Sequence, residues 1–221
     1  ICVVPSNMDH VSWPPENTTF HRGGFVCFDY NNGNVNAATA RHFFTSGKNS
    51  TGIAMIDDHL FAVLSSNTYA EPSIEEAKLD IFDSSNMALV DTYDLGMNMA
   101  QISSVLAVEG GMVFIGVQRP DAELKVVDAS TGEITDYPID SGNHYLSNVQ
   151  VWSLIAAVSD FNLSRVVLVN TDKSLSWSGT LETPVGGSPG PSVVVGDSLY
   201  QIVSSGSSAE LKKIELGGLR Q

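Results

Sequence analysis

Short apolar runs that end in an acidic or amide residue recur along the chain. Residues 122–128 read AELKVVD and return as AELKKIE at 209–215, with looser copies at 24–29, 78–83 and 165–170. The closing residues lie 54, 45, 42 and 45 positions apart and are Asp29, Asp83, Asp128, Asn170 and Glu215. A strand-like unit that returns with a period in this range predicts a β-propeller repeat.

Each repeat predicts four strands. We call the recurrent run that ends in an acidic or amide residue the marker run. In the third unit, two almost wholly apolar runs at 102–108 and 112–117 precede the marker run at 123–128, and an alternating run follows it at 133–137. Continuous apolar runs suit strands that are buried on both faces, whereas alternation suits an outer strand. The second unit predicts strands at 52–56, 60–65, 78–82 and 89–93, and the fourth at 149–152, 154–159, 165–169 and 175–181. No window of a dozen residues keeps an uninterrupted helical period, so helices are not expected.

The predicted fold is therefore all-β. It is a β-propeller-like array of about five four-stranded antiparallel blades in a single domain over residues 1–221, with units near 1–50, 51–100, 101–147, 148–190 and 191–221. The first unit begins in mid-repeat and the fifth lacks an outermost strand, so the first and last blades are incomplete. Three arrangements stay open: five units in one ring, a piece of a larger ring, or a ring that another chain completes.

The marker pattern, apolar-x-apolar-Asp followed by a turn with Gly and a further strand, resembles the repeats of extracellular and periplasmic β-propellers of the YVTN and quinoprotein-dehydrogenase-like type. The turn DASTG at 128–132 is an example, in which Asp bonds its own backbone and Gly supplies a positive φ. No Trp-Asp pair ends a repeat, which argues against the WD type. Propellers of this broad family include binding scaffolds, lactonases and dehydrogenase subunits, so the resemblance implies a fold and not a function.

Charge narrows the classes of partner. Twenty-five acidic residues against 11 Lys and Arg give a net charge of −14, with 43% hydrophobic residues. Such a surface repels phosphate backbones and anionic lipid, so no nucleic acid is expected. No apolar run approaches the ~20 residues of a transmembrane helix, so no membrane insertion is expected either. The chain starts at Ile1 and has no secretory leader pattern, so we expect a processed product or a part of a longer protein.

The two cysteines fall in one predicted unit. Cys2 occupies the second-strand slot and Cys27 the third-strand slot, so they are predicted to lie on adjacent strands within disulfide reach. A disulfide would place the protein in an oxidising compartment, extracellular or periplasmic, whereas two buried free thiols are the alternative. Three N-glycosylation triplets begin at Asn17, Asn49 and Asn162. Their number is close to the chance expectation, so they permit a glycoprotein without demonstrating one.

Loops from second to third strand, and from fourth strand to the next unit, share one face of a propeller and are the long loops here. Because long variable loops concentrate binding residues, we predict partner contacts on this face. Glycans on the first and fourth units would shield those blades and direct a ligand to the second and third. The candidate partner-binding residues are Tyr69, Glu71, Arg119, Asp121, His144 and Tyr145, with Trp13 as a rival surface or a core cap.

Catalytic motifs have little support. The segment GGSPG at 186–190 fits G-x-S-x-G, but Pro189 has no N–H for an oxyanion and no helix follows. Gly47-Lys48 lacks the earlier glycine of a P-loop, because His42 holds its place. We predict no cofactor. Converging acids at the mouth could hold Ca²⁺, with a solvated acidic loop as the alternative, and these acids are Glu71, Glu75, Glu76, Asp121 and Glu123.

Three functions follow from these observations. The first is a non-enzymatic extracellular or periplasmic propeller that binds a protein or glycan through the long-loop face. The second is a Ca²⁺-dependent, lactonase-like hydrolase that works at the central mouth. The third is a purely structural module that further blades complete.

Overall fold

A computed structural model describes residues 1–5, 22–66, 77–96, 106–118, 121–142 and 144–220, and the backbone of 8–9 and 19–20. These residues form twenty β-strands and a short 3-10 helix at Gly217–Arg220. They divide into two compact units, Ile1–Ser103 and Ser104–Gln221. In the part of the chain described, no helix combines the length and hydrophobicity needed to cross a bilayer.

The first unit contains two antiparallel sheets in chain order. Sheet 1 is β1-β4-β5, with strands β1 (Cys2–Val3), β4 (Gly24–Asn31) and β5 (Asn34–Phe44). Sheet 2 is β6-β7-β8-β9, with strands β6 (Ser50–Met55), β7 (Leu60–Ser65), β8 (Ala77–Asp83) and β9 (Leu89–Gly96). A separate pair, β2 (Met8–Asp9) and β3 (Thr19–Phe20), lies within the long segment that sequence patterning treats as loop.

The second unit contains three sheets of the same construction. Sheet 3 consists of β10 (Leu106–Glu109), β11 (Met112–Val117), β12 (Ala122–Asp128) and β13 (Ile134–Asp140). Sheet 4 consists of β14 (Leu146–Trp152), β15 (Ile155–Asp160), β16 (Arg165–Asn170) and β17 (Thr180–Pro184). Sheet 5 has three strands, β18 (Ser188–Val195), β19 (Ser198–Ser205) and β20 (Ser208–Glu215).

The predicted fold class is confirmed. The chain is all-β, and its five successive antiparallel sheets of three or four strands, each strand paired with its neighbours along the chain, have the topology of propeller blades. Sheets 1 and 5 are the incomplete ones, as predicted. The segment at 186–190 enters strand β18, so the strand-turn-helix of a nucleophile elbow is absent there.

One predicted strand is wrong. The outer strand of sheet 4 is Thr180–Pro184 and not 175–181. The Asn170 side-chain amide donates to the Trp177 carbonyl, and the Asn170 N–H donates to the Gly179 carbonyl at 3.2 Å. These bonds hold the intervening residues in a turn. Trp177 then packs against the apolar core of the unit, which explains why an apolar residue lies outside a strand.

The buried cluster between sheets 1 and 2 is aromatic. Phe25 of sheet 1 meets Phe61 and Phe82 of sheet 2 edge-on, with ring centroids 5.3 and 5.0 Å apart. Cys2 pairs in register with Cys27, and a disulfide joins them, as predicted. Because side chains alternate between faces along a strand, Phe25 and Cys27 point together toward sheet 2. The cross-link therefore ties the two-residue strand β1 to the core.

The buried cluster between sheets 4 and 5 is aliphatic. It joins Ile155, Val166 and Leu168 of sheet 4 to Leu199 and Val203 of sheet 5. Polar bonds flank this cluster: the Ser159 hydroxyl donates to Gln201 Oε1 at 2.8 Å, and Asn148 Nδ2 donates to Ser192 Oγ at 2.8 Å. Apolar contact and satisfied polar groups thus join adjacent sheets.

Candidate functional site

The long-loop end of sheet 4 brings together two loops, 141–145 and 161–164. The first connects β13 to β14, and the second connects β15 to β16. Phe161 N–H donates to the Tyr145 carbonyl at 2.9 Å, and Tyr145 N–H donates to Asn162 Oδ1 at 2.9 Å. The prediction that these two classes of loop share one face is confirmed for this pair.

These two loops carry three apolar side chains. Tyr145 and Phe161 meet edge-to-face with ring centroids 5.5 Å apart and planes at 70°. They are 39% and 46% exposed, and Leu163, in the same loop as Phe161, is 51% exposed. We refer to Tyr145, Phe161 and Leu163 as the Tyr145 patch. Clustered aromatic and aliphatic side chains that folding leaves in water are typical of contact surfaces.

A buried charged network supports the patch from beneath. Asp160 is fully buried, and its Oδ2 accepts bonds from Arg165 Nε at 3.0 Å and His144 Nδ1 at 2.9 Å. Its Oδ1 accepts bonds from the backbone N–H groups of Asn162 and Leu163 at 3.1 and 3.3 Å. One carboxylate therefore fixes both loops that carry the patch.

Arg165 extends the network toward the rim. Its Nη2 donates to Asp140 Oδ2 at 2.7 Å, and its Nη1 donates to Glu182. Burial disfavours the charged guanidinium, but hydrogen bonds to Asp140, Glu182 and Asp160 outweigh that effect and raise the pKa of Arg165. The hydrogen bond from Arg165, with the Ser141 N–H, lowers the pKa of the Asp140 carboxyl. Both partners therefore stay charged at neutral pH.

The partner-binding residues predicted from the sequence differ in their exposure to solvent. His144 is only 8% exposed, because it lies in the network, so it can position a surface but not contact a partner. Asp121 is exposed, and its Oδ1 accepts the Gly142 N–H at 2.6 Å, which anchors the loop before His144. Tyr145 is the predicted residue that the structure puts at the surface beside other apolar groups. Four predicted residues lie outside the described residues: Tyr69, Glu71, Arg119 and Trp13.

Sequence reasoning missed Phe161 and Leu163. A signal was available, since an apolar pair in a loop between two buried strands has no inner face to occupy. The expectation that a glycan on Asn162 would direct ligands toward Tyr145 is inconsistent with the geometry, because Asn162 is bonded to Tyr145 and a glycan there would cover the patch. Asn162 is exposed, Asn49 is 6% exposed and so ill placed to carry a glycan, and Asn17 lies outside the described residues.

The patch has an acidic flank. Asp121, Glu123 and Asp140 line an open cleft at the bulged end of β12 and β13, and Asp140 links this cleft to the network below the patch. Within the described residues, no group of three or more His, Cys, Asp and Glu side chains is arranged to hold a metal ion. The predicted Ca²⁺ ligands Glu71, Glu75 and Glu76 fall outside that part of the chain.

Comparison with solved structures gives likenesses, whereas comparison of the sequence gives none. No family model matches the sequence, and no curated protein matches it. The crystal structure of BamB from Moraxella catarrhalis is similar over 72% of this chain and 40% of that one, at 19% identity and a TM-score of 0.47. The chain thus spans less than half of the BamB chain that it matches. At this similarity, the fold assignment rests on the strand pairing described above.

Proposed function

We propose that this chain is a non-enzymatic binding module that recognises a protein through the Tyr145 patch. The supporting observation is the exposed edge-to-face pair of Tyr145 and Phe161 on two loops that one buried carboxylate fixes. Aromatic side chains provide contact area with few rotatable bonds, and a surface fixed in advance loses little entropy on binding. The patch therefore combines exposed aromatic contact area with a conformation fixed before binding, and both are properties of the residues that contribute most to the binding energy of an interface.

The chemistry of the partner follows from the net charge and from the ring geometry. The net charge of −14 favours a partner segment with Lys or Arg beside apolar side chains. Rings that meet at 70° offer an apolar notch and not a flat platform for a sugar ring. A protein segment suits this shape better than a glycan.

The disulfide bears on where the module acts. A disulfide that ties a two-residue strand to the core is stable only where thiols stay oxidised, which supports an extracellular or periplasmic location. Expression of the chain with and without export to an oxidising compartment would test this: we expect the exported protein to resist proteolysis. Equal resistance of protein with alkylated thiols would show that the fold does not depend on the disulfide, and the disulfide would then no longer support this location.

A random peptide library displayed on phage tests the binding function without knowledge of the partner. We expect wild-type protein to enrich peptides that combine aromatic or aliphatic residues with Lys or Arg, with affinities that weaken as salt rises. The double variant Tyr145→Ser and Phe161→Ser should lose them, with at least about tenfold weaker binding.

The matched control is the double variant Leu89→Ser and Val90→Ser. These residues are 50% and 57% exposed on the outer strand of sheet 2. This variant should bind the selected peptides as the wild type does. Equal enrichment on the Tyr145 and Phe161 variant, or enrichment on a glycan array in place of peptides, would reject the proposal.

A further inference from the structure

A buried histidine lies between hydrogen-bond acceptors beneath the Tyr145 patch. The His144 side chain is part of a residue that is only 8% exposed, and its Nδ1 lies 2.9 Å from Asp160 Oδ2. On the other side of the ring, Nε2 lies 3.3 Å from the Ser141 carbonyl oxygen and 3.8 Å from Asp140 Oδ2. A carbonyl and an ionised carboxylate only accept, so none of these three oxygens can donate a hydrogen bond to the ring.

Only the doubly protonated ring satisfies both sides of this site. A neutral imidazole carries one N–H group and one lone pair. If its proton is on Nδ1, the Nε2 lone pair faces the Ser141 carbonyl oxygen. If its proton is on Nε2, the Nδ1 lone pair faces the buried Asp160 carboxylate. The imidazolium donates on both sides, and in a buried site such a mismatch is costly because water does not replace the missing donor.

The surrounding charges also favour the imidazolium. Charged groups from several strands surround the ring or hold its loop, and within the described part of the chain they are Asp121, Asp140, Asp160, Arg165 and Glu182. The Arg165 guanidinium is bonded to three of these acids, so the acids of the cluster outnumber the guanidinium. A positive ring reduces this excess of negative charge.

The ring positions the loop that carries Tyr145. The bond from Nε2 closes the 141–145 loop on itself, and the bond from Nδ1 ties that loop to Asp160. Asp160 also accepts two backbone N–H groups of the 161–164 loop. Tyr145 follows His144 directly in the chain. A change in the number of protons on the ring therefore acts on the residue that forms one side of the patch.

We propose that the second proton of the His144 ring is a pH-dependent switch of the Tyr145 patch. With both ring nitrogens protonated, the ring fixes the 141–145 loop in the conformation described above. When the pH rises and the Nε2 proton passes to solvent, the exposed lone pair repels the Ser141 carbonyl and the Asp140 carboxylate, and the loop loosens. The patch loses its fixed geometry, so partner binding weakens as the pH rises; this last step rests on the proposed function.

Nuclear magnetic resonance of the full chain tests the switch without a partner. The ring ¹⁵N signals of His144, assigned through the backbone, distinguish the imidazolium from the neutral ring. We expect two protonated nitrogens at about pH 6 and one at about pH 9, on either side of the range in which histidine changes its charge. The Tyr145 N–H, which bonds to Asn162 Oδ1, should shift over the same pH interval.

Three results of this experiment would overturn the proposal. They are a ring that is neutral at the lower pH in the folded protein, a ring that is still charged at the higher pH, and a Tyr145 N–H signal that does not follow the ring. These signals come from the wild type alone, so they decide the switch even if a variant fails to fold.

The pH dependence of binding tests the consequence. Phage-selected peptides that contain Arg but neither His nor Lys should bind the wild type about tenfold more weakly at the higher pH, because a hydrogen bond that fixes the loop is lost. The His144→Gln protein should bind them equally at both pH values, whatever its affinity. The His59→Gln protein, changed at an exposed histidine of sheet 2, should keep the wild-type pH dependence.

Failure of the switch and failure of the proposed function give different results. Peptide binding by the wild type that does not change with pH, or a pH dependence that persists in His144→Gln, would overturn the switch and leave the binding function standing. A wild type that selects no peptide at either pH would reject the binding function, and the ring and Tyr145 signals would then decide the switch by themselves.

Discussion

The two compact units contain buried carboxylates that are stabilised in different ways. Asp80 of the first unit and Asp160 of the second are both fully buried. Asp80 accepts bonds from the Ser46 N–H at 2.7 Å, the Ser46 hydroxyl and the Thr92 hydroxyl at 2.7 Å, so its described partners are neutral. Asp160 bonds to a guanidinium, an imidazole and two backbone N–H groups.

The comparison shows that burial alone does not define the role of an acid. Hydroxyl groups can rotate to donate or to accept, so the site around Asp80 adapts to a change of acceptor. A guanidinium only donates, and its planar geometry is fixed, so the site around Asp160 does not adapt. Asp80 joins strands β8 and β9 of sheet 2 to Ser46, which precedes β6. Asp160 lies beneath the exposed Tyr145 patch.

The largest expected effect is that of Asp160→Asn. The amide would turn an N–H₂ toward either Arg165 or the backbone N–H groups of the 161–164 loop, and a buried guanidinium would lose a charge partner. We expect a loss of about 3–5 kcal/mol in the free energy of unfolding, measured by urea denaturation. A loss below about 1 kcal/mol, the size of one ordinary hydrogen bond, would contradict the assigned role.

The disulfide should matter to the first unit alone. Replacing Cys2 and Cys27 by Ala opens a cross-link across a sequence separation of 25. Because the cross-link restricts the unfolded chain, we expect the free energy of unfolding of the first unit to fall by roughly 3 kcal/mol. Hydrogen exchange resolved by peptide is the measurement. Faster exchange in sheets 1 and 2, with sheets 3 to 5 unchanged, is expected, and a uniform change over all five sheets would contradict it.

The sequence predicted the strands but not the polar interior, and the reason is physical. Strand patterns are local, so the apolar runs and their closing residues could be placed from periodicity alone. The disulfide was within reach because Cys2 and Cys27 occupy neighbouring slots of one repeat. The network of His144, Asp160 and Arg165 depends on bulges and loop paths that no local pattern encodes.

Asp80 could have been found from its sequence surroundings. It stands between Leu79 and Ile81 in a strand of buried residues, where an acid requires hydrogen-bond donors. Its partners Ser46 and Thr92 lie 34 and 12 residues away, so their identity needed the folded structure. The need for partners was therefore predictable, and the partners were not.

A smaller effect is expected for Asp80→Asn. The amide oxygen can accept the Ser46 N–H, while the amide N–H₂ donates to the Ser46 and Thr92 hydroxyls after they rotate. The free energy of unfolding should fall by only about 1 kcal/mol. Asp80→Ala is the matched comparison, since it leaves these donors without an acceptor and should cost about 1–3 kcal/mol. Equal costs for Asp80→Asn and Asp160→Asn would show that the two sites do not differ as described.

The smallest expected effect is a pH dependence at the rim of the charged site. The hydrogen bond from Arg165 lowers the pKa of Asp140 in the folded protein, so the ionised carboxylate stabilises the fold. That stabilisation is complete above the unfolded pKa of about 3.9 and is lost as pH falls through the lower folded pKa. The gap in stability between wild type and Asp140→Asn should therefore be widest near neutral pH and close in acid.

Urea denaturation at several pH values between neutrality and the acid limit measures this gap. Asp91→Asn is the control, because Asp91 is an exposed residue of sheet 2 whose removal changes the net charge by the same amount. If the difference in stability between wild type and Asp140→Asn stays constant down to acid pH, the Asp140 side chain stabilises the fold by its packing and not by its charge. Asp140 would then resemble Asp80, where neutral partners suffice, and the contrast between the two units would be confined to Asp160 itself.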